Sequence, residues 1–305
     1  MLFLMILVLG CVAVFKPASA QDKEKRFRGN MTISTNGEKG VNDCSDVRMI
    51  IGDGETLRSQ VTQTIPRGAV QTLEVSSARN GGIHVQGWNR DEYSVTACLA
   101  AAGDDANQAK ALLDQLKLSV ANGKVTVNGP ASQGWLAYLV IQAPNGAVLD
   151  LAGVNGPVGV SDFSGTIAAR NQNGPISFND VNGQVRANVQ NGPISVHGSA
   201  SGGDFKLTAQ NGPLTVDLDG IQWQGELEGS TQNGPLNLRL PENYASSIRV
   251  DASKHSPVQC KAVQCQQSVR TWDKPSVIQF GDQTNPVIRL STINGPVTIS
   301  SQSSK

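Results

Sequence analysis

Charge is scarce in this 305-residue chain: only 16% of its residues are Asp, Glu, Lys or Arg, and 25 basic residues offset 25 acidic ones. Without a basic excess or a basic block it lacks the electrostatic footprint of a nucleic-acid binder or of a protein held on an anionic membrane. Aromatic residues make up 5%, and the three histidines, His84, His197 and His255, are scattered. No Ser-His-Asp grouping, HExxH run or phosphate loop is found, so no catalytic residue, metal site or cofactor is expected. A sugar-cleaving enzyme would need convergent carboxylates. Asp162 and Asp180 do occupy equivalent places, but the next equivalent is Gly198, and both read as solvated turn residues. A calcium roll would need GGxGxD-type turns, and no regular Asp recurs at the corners. After the first fifteen residues no apolar run reaches the eighteen that a membrane helix needs, so no span is expected in the mature chain.

What is present begins with export. Met1 to Phe15 is almost wholly apolar and precedes Ala18-Ser19-Ala20, a small-x-small cleavage pattern, so residues 1–20 read as a signal peptide and mature protein starts near Gln21. Val8-Leu9-Gly10-Cys11 loosely resembles a lipobox, which leaves lipidation at Cys11 as the competing reading. The periplasm, outer envelope or medium is the expected location. In such an oxidising compartment four remaining cysteines, Cys44, Cys98, Cys260 and Cys265, read as disulfide partners. The short CKAVQC loop favours Cys260 with Cys265, leaving Cys44 for Cys98. A thiolate zinc site is disfavoured, because C-x4-C has no second close pair.

The decisive feature is an internal repeat. Asn-Gly-Pro recurs at Asn155-Gly156-Pro157, Asn173-Gly174-Pro175, Asn191-Gly192-Pro193, Asn211-Gly212-Pro213, Asn233-Gly234-Pro235 and Asn294-Gly295-Pro296, with spacings of 18, 18, 20 and 22 before a long gap, and an earlier Asn128-Gly129-Pro130 lies outside this register. Each copy is followed by an apolar-x-apolar triplet, such as Ile176 and Phe178 or Leu214 and Val216, and preceded by a second alternating run, such as Val185, Ala187 and Val189. Each unit is therefore two short strands with one apolar and one wet face. Such a unit cannot bury its own inner face, but stacked units can. The expected fold is all-β: a parallel β-solenoid with two short strands per coil of 18–22 residues. The corner suits Asn-Gly-Pro, since Gly accepts a left-handed backbone, Asn tolerates one and Pro fixes the exit angle. Stacked Asn side chains can form an amide ladder. A neighbouring column, Gln172, Gln190, Gln210 and Gln232, is either structural or a flat polar strip for a glycan or partner strand. Antiparallel hairpins are the rival architecture, because Asn-Gly favours them, but a Pro there removes a donor from the returning strand.

Upstream the pattern is less regular. Residues 21–66 read as an irregular capping segment and residues 67–305 as the repeat domain. One helix is expected near 104–117, capped by Asp104 or Asp105 and with Ala109, Leu112, Leu113 and Leu116 on one face; it reads as a plug over one end. Asn122-Gly123 marks a turn between two strands. Trp88 and Trp135 read as buried cap residues, whereas Trp223, in the insertion that lengthens one unit to 22 residues, reads as an exposed anchor.

The run NGGIHVQGWNRDEYSV, the helix DDANQAKALLDQL, the strand LAYLVIQAPNGAVLDLAGVNGPVGV and the repeated NGPISF, NGPISV and NGPLTV together resemble the bacterial putative-adhesin family of unknown function, over roughly residues 70–300. The resemblance implies an exported β-solenoid of the bacterial envelope with no established activity, and it carries over no site residue. The consistent Pro and the four cysteines depart from the family pattern. The expected role is a noncatalytic adhesin-like scaffold for an envelope protein or glycan, with a glycan-binding module as the alternative and a carbohydrate-active enzyme less favoured.

Overall fold

The computed structural model describes residues 31–35, 40–131, 133–198, 202–218, 222–254, 256–267, 269–271, 277–281 and 287–302. The cleavage signal, the Cys11 alternative, His255 and Trp272 lie outside them. The order of elements is β1 (Met31–Thr35), β2 (Val47–Ile51), β3 (Glu55–Pro66), β4 (Leu73–Ser76), β5 (Gly81–Trp88), β6 (Glu92–Gly103), α1 (Ala106–Leu113), β7 (Lys117–Ala121), β8 (Lys124–Asn128), β9 (Trp135–Pro144) and β10 (Val148–Asn155). The repeats supply β11 (Val158–Ser161), β12 (Ser164–Asn173), β13 (Ile176–Asn179), β14 (Asn182–Asn191), β15 (Ile194–Gly198), β16 (Gly203–Asn211), β17 (Leu214–Leu218), β18 (Leu227–Asn233) and β19 (Leu236–Pro241). Last come β20 (Ile248–Ala252), β21 (Val258–Cys260), β22 (Val269–Thr271), β23 (Val277–Phe280), β24 (Ile288–Asn294) and β25 (Val297–Gln302).

These strands build two large sheets, neither closed on itself, and one small antiparallel pair, β1 with β2. Through the repeats the chain alternates between the large sheets. The strand before each Asn-Gly-Pro, from β10 through β12, β14, β16 and β18 to β24, lies in one sheet, and the strand after it, from β11 to β25, lies in the other. Like strands pair in parallel, in register: Asn155, Asn173, Asn191, Asn211, Asn233 and Asn294 are successive partners. Asn-Gly-Pro thus carries the chain from sheet to sheet, and the hairpin alternative does not describe these units. The alternating apolar residues face inward and are buried, Ile176, Phe178, Ile194, Val216, Leu236 and Ile299 among them. The buried polar residues of this face bond to the corner of an adjacent unit: Asn171 Nδ2 donates to the Gly156 carbonyl at 2.8 Å and Thr231 Oγ1 to that of Gly212 at 2.7 Å.

Both ends of the stack break chain order. β4 pairs with both β8 and β10, and β5 with both β9 and β11, so the first two-strand unit sits between neighbours that come later. At the other end β24 pairs with both β18 and β20, and β25 with both β19 and β21. The sixth Asn-Gly-Pro copy therefore rests directly on the fifth, although 61 residues separate Asn233 from Asn294.

The helix is shorter than the sequence led us to expect. Asp105 caps it by accepting from the Gln108 N–H at 2.8 Å, and it packs against β6 and β3 with Ala109 fully buried. Asn122 and Gly123 both take positive φ, 52° and 77°, in the two-residue turn joining β7 to β8. The 21–66 segment corrects the expectation of irregular capping strands, because β3 is a regular twelve-residue strand paired along its length with β6. Its alternation was obscured because Arg58 to Thr64 are exposed on both faces and carry no apolar stripe.

β2 and the turn before it lie over the outer side of β6 and β9, where Val41, Val47, Met49 and Ile51 form a second apolar cluster with Ala100, Tyr138 and Val140. A disulfide joins Cys44 to Cys98 across this cover, and a second joins Cys260 to Cys265. Beneath the cover the Val41 N–H donates to His84 Nε2 at 3.2 Å, which places the proton of neutral His84 on Nδ1. Burial pushes the His84 pKa down to about 4, against weaker opposing effects of Gln86, Asp162 and Asp46. In the unfolded chain the same imidazole titrates near its ordinary 6.5, so as pH falls from about 6.5 to about 4 the unfolded state gains a proton that the folded state refuses. Stability held above that window is lost across it, by about 3 kcal/mol. Chemical denaturation at pH 7.5 and pH 4 should show this loss in the native chain and a smaller one in His84→Gln; equal losses would remove His84 as its source.

The stack also demands glycine at the corner. Gly192 has φ +153°, and a Cβ there would run into the carbonyl oxygen of Gly174 in the adjacent unit. Gly192→Ala should cost at least about 1 kcal/mol of unfolding free energy, and an unchanged melting curve would contradict this packing.

A candidate interaction surface on the longer-stranded sheet

The Asn-Gly-Pro corners form one continuous line. The Asn173 amide donates to Asn155 Oδ1 at 2.9 Å, Asn191 to Asn173 at 2.9 Å, Asn211 to Asn191 at 3.0 Å, Asn233 to Asn211 at 2.9 Å and Asn294 to Asn233 at 2.9 Å. Backbone bonds run in parallel: the Gly174 N–H donates to the Asn191 carbonyl and the Ile176 N–H to the Pro193 carbonyl, and the pattern recurs along the repeats. Pro fits because the donors used at this corner are those of the Gly before it and of the residue after it. One rung was missed in the sequence: Asn155 Nδ2 donates to Asn80 Oδ1 at 3.3 Å. Asn80-Gly81-Gly82 has no Pro, so the shared Asn-Gly and its place before β5 were the only signals.

One residue before each ladder Asn stands the glutamine column. Gln172, Gln190, Gln210 and Gln232 are all exposed, and among the described residues their side-chain amides make no internal hydrogen bond. Parallel strands place them about 4.8 Å apart. The two columns therefore differ in kind: the Asn amides satisfy one another, and the Gln amides are left to solvent or to a ligand. Farther along the same outer face come Arg170, Asn188, Thr208 and Ser230, then Arg186, Lys206, Glu228 and Arg289.

Shallow depressions run between these columns. One of about 520 Å³ has Ala152 and Gly153 beside Gln172, Gln190 and Gln210; another of about 510 Å³ is bordered by Arg186, Asp204, Lys206 and Glu228. Three carboxylates of this face are engaged by cations, Asp150 by Arg170 at 2.8 Å, Glu228 by Lys206 at 2.9 Å and Glu226 by Arg289 at 3.7 Å, whereas the exposed Asp204 accepts from the Glu226 N–H at 3.1 Å. Arg186 has no carboxylate within 4 Å among the described residues. Exposed pairs of this kind are each worth ~0–1 kcal/mol; their effect here is to leave the face close to neutral. On the opposite sheet Asp217 binds Arg239 at 2.9 Å and lies 3.7 Å from His197, which is half-exposed. Asp162 and Asp180 occupy left-handed corner positions, φ 49° and 52°, and Asp162 accepts from Gln86.

Trp223 is not the exposed anchor that its place in an insertion suggested. It is 3% exposed, its ring meets Phe205 edge-on at 4.9 Å, and its Nε1–H donates to the Gly203 carbonyl at 3.1 Å. The indole is folded into the core, where its burial is worth more than display. Trp88 and Trp135 are half-buried and donate to the carbonyls of Glu92 and Pro130. Among the described residues no exposed large hydrophobic is aromatic, so the Gln face has no stacking platform. No cluster of three or more potential metal-binding side chains occurs among the described residues, and no helix there is long and apolar enough to cross a membrane.

No protein-family model matches the chain, and no curated protein matches it. Bacterial adhesion proteins are among the solved structures to which it is similar. A putative cell adhesion protein from Clostridium sporogenes aligns with 81% of this chain and 100% of its own, at 7% identity and a TM-score of 0.32. A putative adhesin from Bacteroides fragilis aligns with 80% and 97%, at 11% identity and a TM-score of 0.38. A putative lipid binding protein from Parabacteroides distasonis aligns with 82% and 98%, at 9% identity and a TM-score of 0.34.

If the Asn column is structural, Asn191→Ala should lower unfolding free energy by about 1 kcal/mol, the net worth of the bonds it makes, whereas Gln190→Ala should leave the melting temperature unchanged. Thermal melts of the two variants distinguish the columns, and equal losses would make both structural.

Proposed function

We propose that the chain is an exported, noncatalytic β-solenoid whose Gln-bearing face docks a partner in the cell envelope. The observation that carries this reading is the contrast between two adjacent amide columns, one internally satisfied and one with free donors and acceptors that line a shallow depression. Repeated unsatisfied amides on a rigid sheet offer a periodic set of hydrogen bonds with little ordering cost. The two disulfides favour an oxidising compartment. A binding role suits this face better than catalysis, because Asp150, Glu226 and Glu228 are held in ion pairs and Asp204 is exposed and bonded to a backbone N–H. A protein surface is the preferred partner. The near-neutral, amide-rich face favours an uncharged glycan as the second reading, recognised by hydrogen bonds without aromatic stacking.

The test is binding of the oxidised mature protein to immobilised envelope proteins and to a glycan array, beside Gln172→Ala/Gln190→Ala/Gln210→Ala. Saturable binding weakened about tenfold or more in the triple variant, a loss of about 1.4 kcal/mol, is the expected outcome. Binding that survives the substitutions intact would refute this face as the docking surface.

A further inference from the structure

The two large sheets end in four outer strands among the described residues: β7 and β22 in one, β3 and β21 in the other. An outer strand presents unpaired backbone groups to any second strand, and folded proteins blunt such edges by shortness, by lysine or by a cross-link that shapes the end. Three of the four follow that rule. β22 and β21 have three residues each, and β21 ends in Cys260, which is bonded to Cys265. β7 has five residues and begins with an exposed Lys117.

β3 breaks the rule. It is twelve residues long, and between Arg58 and Pro66 it runs Ser59-Gln60-Val61-Thr62-Gln63-Thr64-Ile65, with no charge, glycine or proline. Val, Thr and Ile favour extended pairing, and an uncharged run of this length is the composition of a strand that adds to another. Arg58 to Thr64 are exposed, and Val61 at 39% is one of five exposed large hydrophobics among the described residues. The Arg58 guanidinium, which could have guarded the edge, is drawn back to donate to the Met49 carbonyl at 2.9 Å.

We infer that β3 is a self-association edge, pairing antiparallel with β3 of a second copy of this chain about a two-fold axis at Val61. The second copy is the occupant that the strand's own chemistry fits. β6 is already antiparallel to both of its neighbours, β3 and β9, so a two-fold at β3 continues that alternation and joins the sheets of two molecules into one. With the axis at Val61, Arg58 faces Thr64 of the copy and no like charges stand opposite along β3. The exposed Val61 side chains meet at the centre, where directly opposed Cα atoms lie ~4.5–5.5 Å apart. The edge is separate from the Gln face, so dimerisation and partner binding are independent properties.

Sedimentation of the oxidised mature protein over a concentration series tests this. A monomer–dimer equilibrium is expected, with Val61→Lys raising the dimer dissociation constant about tenfold or more through opposed ammonium groups while its melting curve stays native. Val61→Cys should give a disulfide-linked dimer under mild oxidation, and Val148→Cys, at another exposed valine, should not. A monomer at every soluble concentration, or a dimer indifferent to Val61→Lys, would overturn the inference.

Discussion

Everything in this structure hangs on how closely one backbone corner rests on the next. At five successive Asn-Gly-Pro corners, from Gly156 to Gly234, the Gly N–H reaches the Asn carbonyl of the next unit at 2.8–2.9 Å, and the glycines lie so near one another that a side chain would collide with a neighbouring carbonyl. That contact fixes the register of the repeat strands, because a one-residue slip would turn the inner face outward. With register fixed, each side-chain position becomes a column. Columns of Ile, Val, Leu and Phe fill the interior, a column of Asn ties the corner, and a column of Gln lies outside. The Pro that follows is compatible with the stack because it stands where no donor is used.

Much of this was legible because repetition reduces the sequence to a few positions read six times. The alternating apolar residues, the parallel stacking and the likeness of the Asn copies all follow from spacing. The meaning of single residues outside the repeat was harder to read. Trp223 sits in an insertion, and insertions usually mark surface, yet an indole that reaches a carbonyl partner inside the core gains more by burial. β3 carries no apolar alternation, because its middle overhangs the core and its pairing is written only in β-branched residues and the absence of breakers. The gap of 61 residues before the last Asn-Gly-Pro looked like an interruption, whereas the last unit is spatially continuous with the fifth. Spacing along a chain reports local geometry, and a long excursion between two stacked units leaves no trace in it.

The ends are built differently from the middle for a physical reason. A stack of parallel strands has no natural terminus, and an uncovered last unit would expose both its backbone edge and the apolar interior. At one end α1 and the antiparallel strands β3 and β6 close the core, with a disulfide holding the cover over β6 and β9. At the other, the antiparallel β22–β23 pair lies beyond β20. His84 belongs to this terminal architecture: a neutral imidazole is stable under the cover because its acceptor nitrogen meets a backbone donor.

The place of the last unit bears on how the chain is made. Synthesis runs from the first residue to the last, so β20 and β21 emerge before the two strands that separate them from β18 and β19. A growing chain can stack the regular units in order as far as β19. It then has to hold a vacant layer until residues 288–302 arrive, or undo a premature contact to admit them. A chain that stops before residue 288 therefore lacks the layer on which β20 and β21 pair, so the far end of the stack depends on its last two strands being made.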